Sequence, residues 1–573
     1  MKILLVAVNA KYIHSNLAVY SLQSYAGARG TETEIAEYTI NHRQEEILAD
    51  IFGRQPDMVA FSCYIWNLEY MKALIADLHK ILPKTEIWVG GPEVSHDAED
   101  FLVRMPQVRG VMVGEGEQTF TELAKIYTDC AKTPVSIEES LENCRGIVWC
   151  DGKGDLHREE FRELLSMDEI PFIYENLQKF ENRILYYETS RGCPFSCSYC
   201  LSSIDKRVRM RSISLVKQEL QFFLDKKVPQ VKFVDRTFNC SHSHAQEIWR
   251  YILEHDNGIT NFHFEIAADL LNDSEIELLA KMRPGLVQLE IGVQSTNMET
   301  VREIRRVMDF EKLKENVARV AEAENVHQHL DLIAGLPKED FDSFVQSFNN
   351  VYRLRPEQLQ LGFLKVLKGS WMYQNAENYE LVYRERPMYE VLSTKWISYA
   401  ELQRLKGVEE MLEVYGNSGQ FSRTIEALEA EFEHPFAMFD ELAQYYETKD
   451  LNGRKHSRME RFDILREFIL EKTGSEEKKT HYESLLLMDL YLRENSKSRP
   501  VWAVDLIPWK EEIHEFYRQE EQERRYLTDY EGYNWKQLMH MTHLEVQADG
   551  KWYLFDYKKR NPLTKDAAVY RIR

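Results

Sequence analysis

Cys193-Pro194-Phe195-Ser196-Cys197-Ser198-Tyr199-Cys200 brings three thiols into eight residues, spaced four and then three apart. The 573-residue chain has eight cysteines in all, a poor basis for a disulfide framework. Thiolates this close on one loop can wrap a compact polynuclear centre of iron–sulfur type. Three cysteines leave one iron of a four-iron cube without a protein ligand, and an open iron can bind a substrate or cofactor. Structural zinc is the competing reading; it needs a fourth ligand, such as Cys240 or a distant His, to close its tetrahedron.

The loop follows a strand at 186–189 that opens a run of alternating strands and helical stretches. Further strands are expected at 230–234, 263–266, 286–292, 328–333 and 358–364. Six such units fit a partial or full (β/α) barrel with its chemistry at the strand carboxyl ends. An earlier alternation fills 1–128, with strands at 2–8, 32–37, 58–62, 86–89 and 110–113 and an amphipathic helix at 67–82. This pattern is a doubly wound parallel sheet, whose ligands sit at the carboxyl ends of the strands. The turns Asn9-Ala10, Gly90-Gly91-Pro92 and Gly114-Glu115-Gly116 fall there. Residues 129–183 read as a connector with a small strand at 146–150, and 184–370 as the barrel. Residues 371–573 form a mainly helical carboxyl-terminal domain, with helices at 424–431 and 458–471. It ends in a β-hairpin pairing 544–547 with 552–557.

The balance of 72 Lys+Arg against 94 Asp+Glu gives a net charge of −22. That disfavours a general nucleic-acid binder, which needs a basic stripe. No apolar run reaches the roughly 18 residues of a membrane span. With no targeting segment in the sequence, the expected compartment is the cytoplasm.

The triplet, with Tyr199 ahead of its last cysteine, is similar to that of the radical S-adenosylmethionine (SAM) enzymes. Phe264-Glu265-Ile266 resembles their third-strand acidic position, Gly292-Val293-Gln294-Ser295 the fourth-strand glutamine, and 331–337 the fifth-strand motif, with Asp331 and Gly335. Arg306, twelve residues after Gln294, resembles the SAM-carboxylate arginine of the coproporphyrinogen-oxidase-like branch. Val234-Asp235-Arg236-Thr237-Phe238 stands where many relatives carry a glycine pair. The resemblance spans about 180–370. It implies a [4Fe-4S] cluster on Cys193, Cys197 and Cys200, with SAM held by Tyr199, Asp235, Glu265, Gln294, Arg306, Asp331 and Gly335. It also implies reductive cleavage of SAM to a 5′-deoxyadenosyl radical, the electron coming from a donor such as flavodoxin or ferredoxin.

The first sheet, placed before such a barrel, resembles the flavodoxin-like, Rossmann-type cobalamin-binding domain of the cobalamin-dependent radical SAM class. That implies cobalamin contacts from Asn9, Ser62, Cys63, Tyr64, Trp66, Gly90, Gly91, Pro92, Glu93, Gly114, Glu115 and Gly116. Residues 9–14 lack the Asp-x-His-x-x-Gly signature of a lower axial histidine, so His14 is expected to be a loop or substrate-side residue. The cobalt's lower face is expected to be covered by the loop 62–67. The activity implied is methylation of an unactivated carbon. Alternatives are radical cyclisation or rearrangement, as in the anaerobic magnesium-protoporphyrin monomethyl ester cyclase-like branch, and a non-catalytic corrinoid or iron–sulfur carrier.

Overall fold

A computed structural model describes residues 1–573. Its first sheet contains β1 (Ile3–Asn9), β2 (Glu34–Thr39), β3 (Met58–Ser62), β4 (Glu86–Gly90) and β5 (Gly110–Met112). They are parallel, in the order β2-β1-β3-β4-β5. The unbroken apolar runs of β1 and β3 are buried along their whole length, as strands covered on both faces require. Helices Leu17–Gly27 and Gly116–Cys130 cover one face, and Gln44–Arg54 and Leu68–Ile81 the other. Two antiparallel strands, β6 (Ile147–Cys150) and β7 (Leu156–Arg158), extend the sheet beyond β5. The stretch read as a connector therefore closes an edge that would otherwise expose unpaired backbone.

The second sheet has the order β15-β14-β13-β12-β11-β8, all parallel. Its strands are β8 (Leu185–Tyr187), β11 (Gln230–Phe233), β12 (Asn261–Ile266), β13 (Val287–Gln294), β14 (His327–Ala334) and β15 (Gln358–Phe363). A short antiparallel pair, β9 (Ser190–Arg191) with β10 (Arg209–Met210), brackets the cysteine loop. Alternation sends Phe233, Phe264, Ile291 and Leu332 outward under the helices, where all are buried. The opposite face presents Lys232, His263, Glu265, Glu290, His329 and Asp331. Lys232 Nζ and His263 Nε2 each lie 2.9 Å from Glu290, and His329 Nε2 lies 3.0 Å from Asp331. A filled (β/α)8 barrel packs branched apolar side chains into this space; here the lumen is polar.

The remaining chain starts with a small pair, β16 (Val382–Tyr383) and β17 (Val391–Ser393), and continues through helices that share the barrel's core. Asn417 uses its amide as a substitute strand: it accepts from the Leu359 N–H at 3.0 Å and donates to the Leu359 carbonyl at 2.8 Å. The open edge of β15 is thereby capped. The terminal hairpin, β18 (Thr542–Val546) with β19 (Trp552–Arg560), gains a third strand, β20 (Ala567–Arg571). His543 is half-buried, its ring stacked 3.5 Å from Tyr491 and its Nε2 2.8 Å from Glu545. No helix is long and apolar enough to cross a membrane.

Candidate active site

The cysteine loop is held by its backbone. Gly192 has φ of 95°, and a Cβ there would lie 2.2 Å from the Arg207 carbonyl oxygen, so only glycine lets the chain turn into Cys193. The Ser203 hydroxyl donates to the carbonyls of Cys197 (2.9 Å) and Cys200 (2.6 Å). The Ser198 N–H donates to Ile304, and the Met372 N–H to Ser198. Cys193 and Cys197 are buried, and Cys200 is half-buried. No three His, Cys, Asp or Glu side chains converge on a site for one ion. Three cysteines wound on one loop suit a polynuclear centre. Burial, then the neighbouring Cys193, push the Cys240 thiol up.

Beside Cys197 lies a pocket at the strand carboxyl ends, lined by Phe195, Glu265, Gln294, Arg306 and Asp331. The Arg306 guanidinium donates to the Gly292 carbonyl and reaches within 3.8 Å of Cys197 Sγ, while its buried Nε has no partner. Gln294, at φ 72°, leaves its buried Oε1 equally unpartnered. Such atoms cost about 1–3 kcal/mol each when left unpaired, and left-handed backbone at a non-glycine residue adds strain. A ligand carrying both a carboxylate and an ammonium group satisfies the two. Burial, then the Glu290 carboxylate, push Glu265 up to about 7. Glu290 is also pushed up by burial, but hydrogen bonding from His263 and the Lys232 charge outweigh this and bring it to about 2.

A second cavity, of about 800 Å³, lies over the carboxyl ends of β1, β3, β4 and β5. Ala18, Ala60, Gly90 and Gly114 keep it open, and Leu5, Leu22 and Met112 give it an apolar depth. Gly91, with φ of 116°, presses so close that a Cβ would sit 2.3 Å from the Cys63 carbonyl oxygen. A Cβ on Gly114 would meet nothing within 4 Å, so the bare backbone there forms the wall. A bulky group with a slender tail fits this shape. On the barrel side the cavity reaches Arg191, which donates to Glu117 at 2.6 Å and to Glu188 at 2.9 Å. Burial pushes the Glu117 carboxyl up, but Arg191 outweighs it and holds it below the usual range. A third cavity, of about 340 Å³, shares His96, Glu115 and Arg191 with the second and Arg236 with the pocket beside Cys197. The third cavity therefore lies between the other two and shares lining residues with each.

Profiles of three families match the chain: "B12 binding domain" over residues 3–124, "Radical SAM superfamily" over 187–351, and "Protein of unknown function (DUF4080)" over 377–559. The chain has the architecture of a cobalamin-dependent radical SAM enzyme. It is 25% identical over 344 residues to a 2-(S-pantetheinyl)-carbapenam-3-carboxylate methyltransferase of Streptantibioticus cattleyicolor, covering 57% of this chain and 49% of that one. It is 26% identical over 319 residues to the cobalamin-dependent radical SAM methyltransferase TokK of Streptomyces tokunonensis, covering 51% and 44%. The chain spans about half the length of these curated relatives. The fold is similar to that of the cobalamin-dependent SAM radical enzyme OxsB with aqua-cobalamin and SAM bound. The TM-score is 0.58 at 17% identity, over 85% of this chain and 79% of that one.

Of the positions expected to contact cobalamin, Ser62, Tyr64, Gly90, Gly91, Pro92, Gly114, Glu115 and Gly116 line the large cavity. Four others are absent from its lining, and their side chains engage elsewhere in the protein. Asn9 donates to Glu37 and the His14 carbonyl, and Cys63 is packed in the core. Trp66 stacks 4.5 Å from Tyr64 and donates to Val8, and Glu93 accepts from Tyr389. His14 Nδ1 lies 2.5 Å from the Tyr186 hydroxyl on the barrel side.

Of the expected SAM contacts, Glu265, Gln294, Arg306 and Asp331 line the cluster-side pocket. Asp235 does not; it is buried under three hydrogen bonds from Thr189 and Ser190. Gly335 packs on Val391, and Tyr199 is tucked against the core beside Arg306. Sequence reasoning missed Glu290, although its place two residues before Gly292 on the same strand face would have found it. It also missed Arg191, one of whose partners, Glu117, lies 74 residues away and carries no local signal.

Proposed function

We propose that the protein cleaves SAM reductively and transfers a methyl group from cobalamin to an unactivated carbon of a substrate held between the two sheets. One observation carries this reading: a third cavity lies between the pocket beside Cys197 and the large cavity over the first sheet, sharing Arg236 with one and Glu115 and Arg191 with the other. When bound, the reduced cluster supplies the electron that breaks the SAM sulfonium, and the corrin carries the methyl group.

Cys193, Cys197 and Cys200 would hold three irons of the cluster and leave the fourth open. Arg306 Nε would meet the SAM carboxylate and Gln294 Oε1 its ammonium, with Glu265 and Asp331 left to accept hydrogen bonds from hydroxyl groups. Gly91 and Gly114 would let cobalamin lie against bare backbone, with Tyr64 in the cavity wall. Arg191 ties the corrin side to the cluster loop. The helical region after the barrel caps the edge of β15 through Asn417. Within this reading the corrin-binding unit extends to Arg158. The reductant is a flavodoxin or ferredoxin, and the compartment is the cytoplasm.

Reconstituted, reduced protein is expected to form 5′-deoxyadenosine from SAM and to bind hydroxocobalamin stoichiometrically with a base-off spectrum. A product heavier by one CH₂ separates methyl transfer from cyclisation. Unchanged SAM cleavage in Cys193→Ala, or flavin retained in place of cobalamin, rejects the proposal.

A further inference from the structure

Arg236 lies just past the end of β11, at the boundary between the pocket beside Cys197 and the interdomain cavity, and lines both. Its neighbour Asp235 is fixed by the three hydrogen bonds from Thr189 and Ser190, so the backbone that carries Arg236 is rigid. The guanidinium itself is exposed and makes no ion pair.

The other arginines of the interdomain cavity differ. Arg191 is paired with Glu117 and Glu188, and Arg209 with Glu115. Asp205 is taken by Arg207. Arg236 is therefore the cation left over. Its charge is felt on both sides, lowering Glu265 in the cluster-side pocket and Tyr64 in the loop below the corrin cavity.

SAM carries one carboxylate, which Arg306 beside Cys197 would take in the proposed reading. A second guanidinium at the mouth of the same pocket has no anion to meet on that molecule. A planar guanidinium recognises carboxylate or phosphate through paired N–H donors. We propose that Arg236 anchors an anionic group, a carboxylate or a phosphate, of the substrate and so holds that substrate between the two cofactor sites. This deepens the proposed function and rests on it.

The test is chemical labelling of the full-length protein, reconstituted with cluster and hydroxocobalamin, with phenylglyoxal followed by peptide mass spectrometry. Labelling at Arg236 is measured with SAM alone, with SAM and sodium acetate, and with SAM and inorganic phosphate. Arg191, already paired, is the internal control. The expected result is that Arg236 labels readily with SAM alone and is slowed about fivefold by one or both anions at several times their dissociation constants. Protection by acetate alone assigns a carboxylate, by phosphate alone a phosphate, and by both an anion site of either kind. Two results overturn the proposal: protection by SAM alone, which makes Arg236 a SAM ligand, and no protection by either anion, which makes it a solvated surface residue. Failure of the broader reading is seen separately, as missing iron, missing corrin or absent 5′-deoxyadenosine, while the labelling pattern still reports on Arg236.

Discussion

Asp235→Ala removes one acceptor that serves three donors just ahead of Cys193. Asp235 is 1% exposed and accepts from the Thr189 N–H at 3.0 Å, the Thr189 hydroxyl at 2.6 Å and the Ser190 hydroxyl at 2.6 Å. The Thr189 hydroxyl retains a neighbour in His244 Nε2 at 3.2 Å. The Thr189 N–H and the Ser190 hydroxyl retain none. A buried donor left unpaired costs about 1–3 kcal/mol, and removing the carboxylate relieves part of its own desolvation penalty. The net local loss is therefore about 3 kcal/mol, or roughly a hundredfold in the opening equilibrium of the segment 189–193. Hydrogen exchange on those amides should speed up by about this factor, and iron retained after reconstitution should fall. Asp235→Asn keeps one acceptor oxygen and should show a smaller change. Unaltered exchange at 189–193 and full iron content in a folded Asp235→Ala protein would refute the reasoning.

Gly91→Ala forces a Cβ to within 2.3 Å of the Cys63 carbonyl at a φ that side chains rarely adopt. It should destabilise the first sheet by about 2–4 kcal/mol and abolish corrin uptake, read by urea unfolding and by absorbance after gel filtration. Glu265 titrates near 7 in the folded chain. Being raised above its unfolded value, it takes up a proton on folding, so stability of the ligand-free protein falls as pH rises from about 4.5 to 7. Glu265→Gln should flatten that slope, measured as urea midpoints at both ends of the window. Asn417→Ala strips both hydrogen bonds from Leu359 and should speed exchange of that amide about tenfold, from a loss of about 1–2 kcal/mol.

Strand positions and the location of the pockets at the strand carboxyl ends were legible because their signals are local. Runs such as Ile3–Asn9 declare a doubly buried parallel strand, and alternation along β13 places Gln294 in the pocket. Asp235 escaped placement because its partners Thr189 and Ser190 lie 46 and 45 residues earlier in the chain, while its neighbour Arg236 lines the pocket. Glu93 was misread because its partner Tyr389 lies 296 residues away, beyond any pattern along the chain. The third terminal strand escaped notice because Ala567–Arg571 has little apolar alternation and depends on pairing with β19.

The account depends most on a four-iron cluster with one corner left to SAM. Mössbauer spectroscopy of the ⁵⁷Fe-reconstituted full chain, with and without SAM, tests this directly. Four irons per chain, with one site alone changing on SAM addition, is the predicted result. A mononuclear signal, or a four-iron spectrum indifferent to SAM, would contradict it.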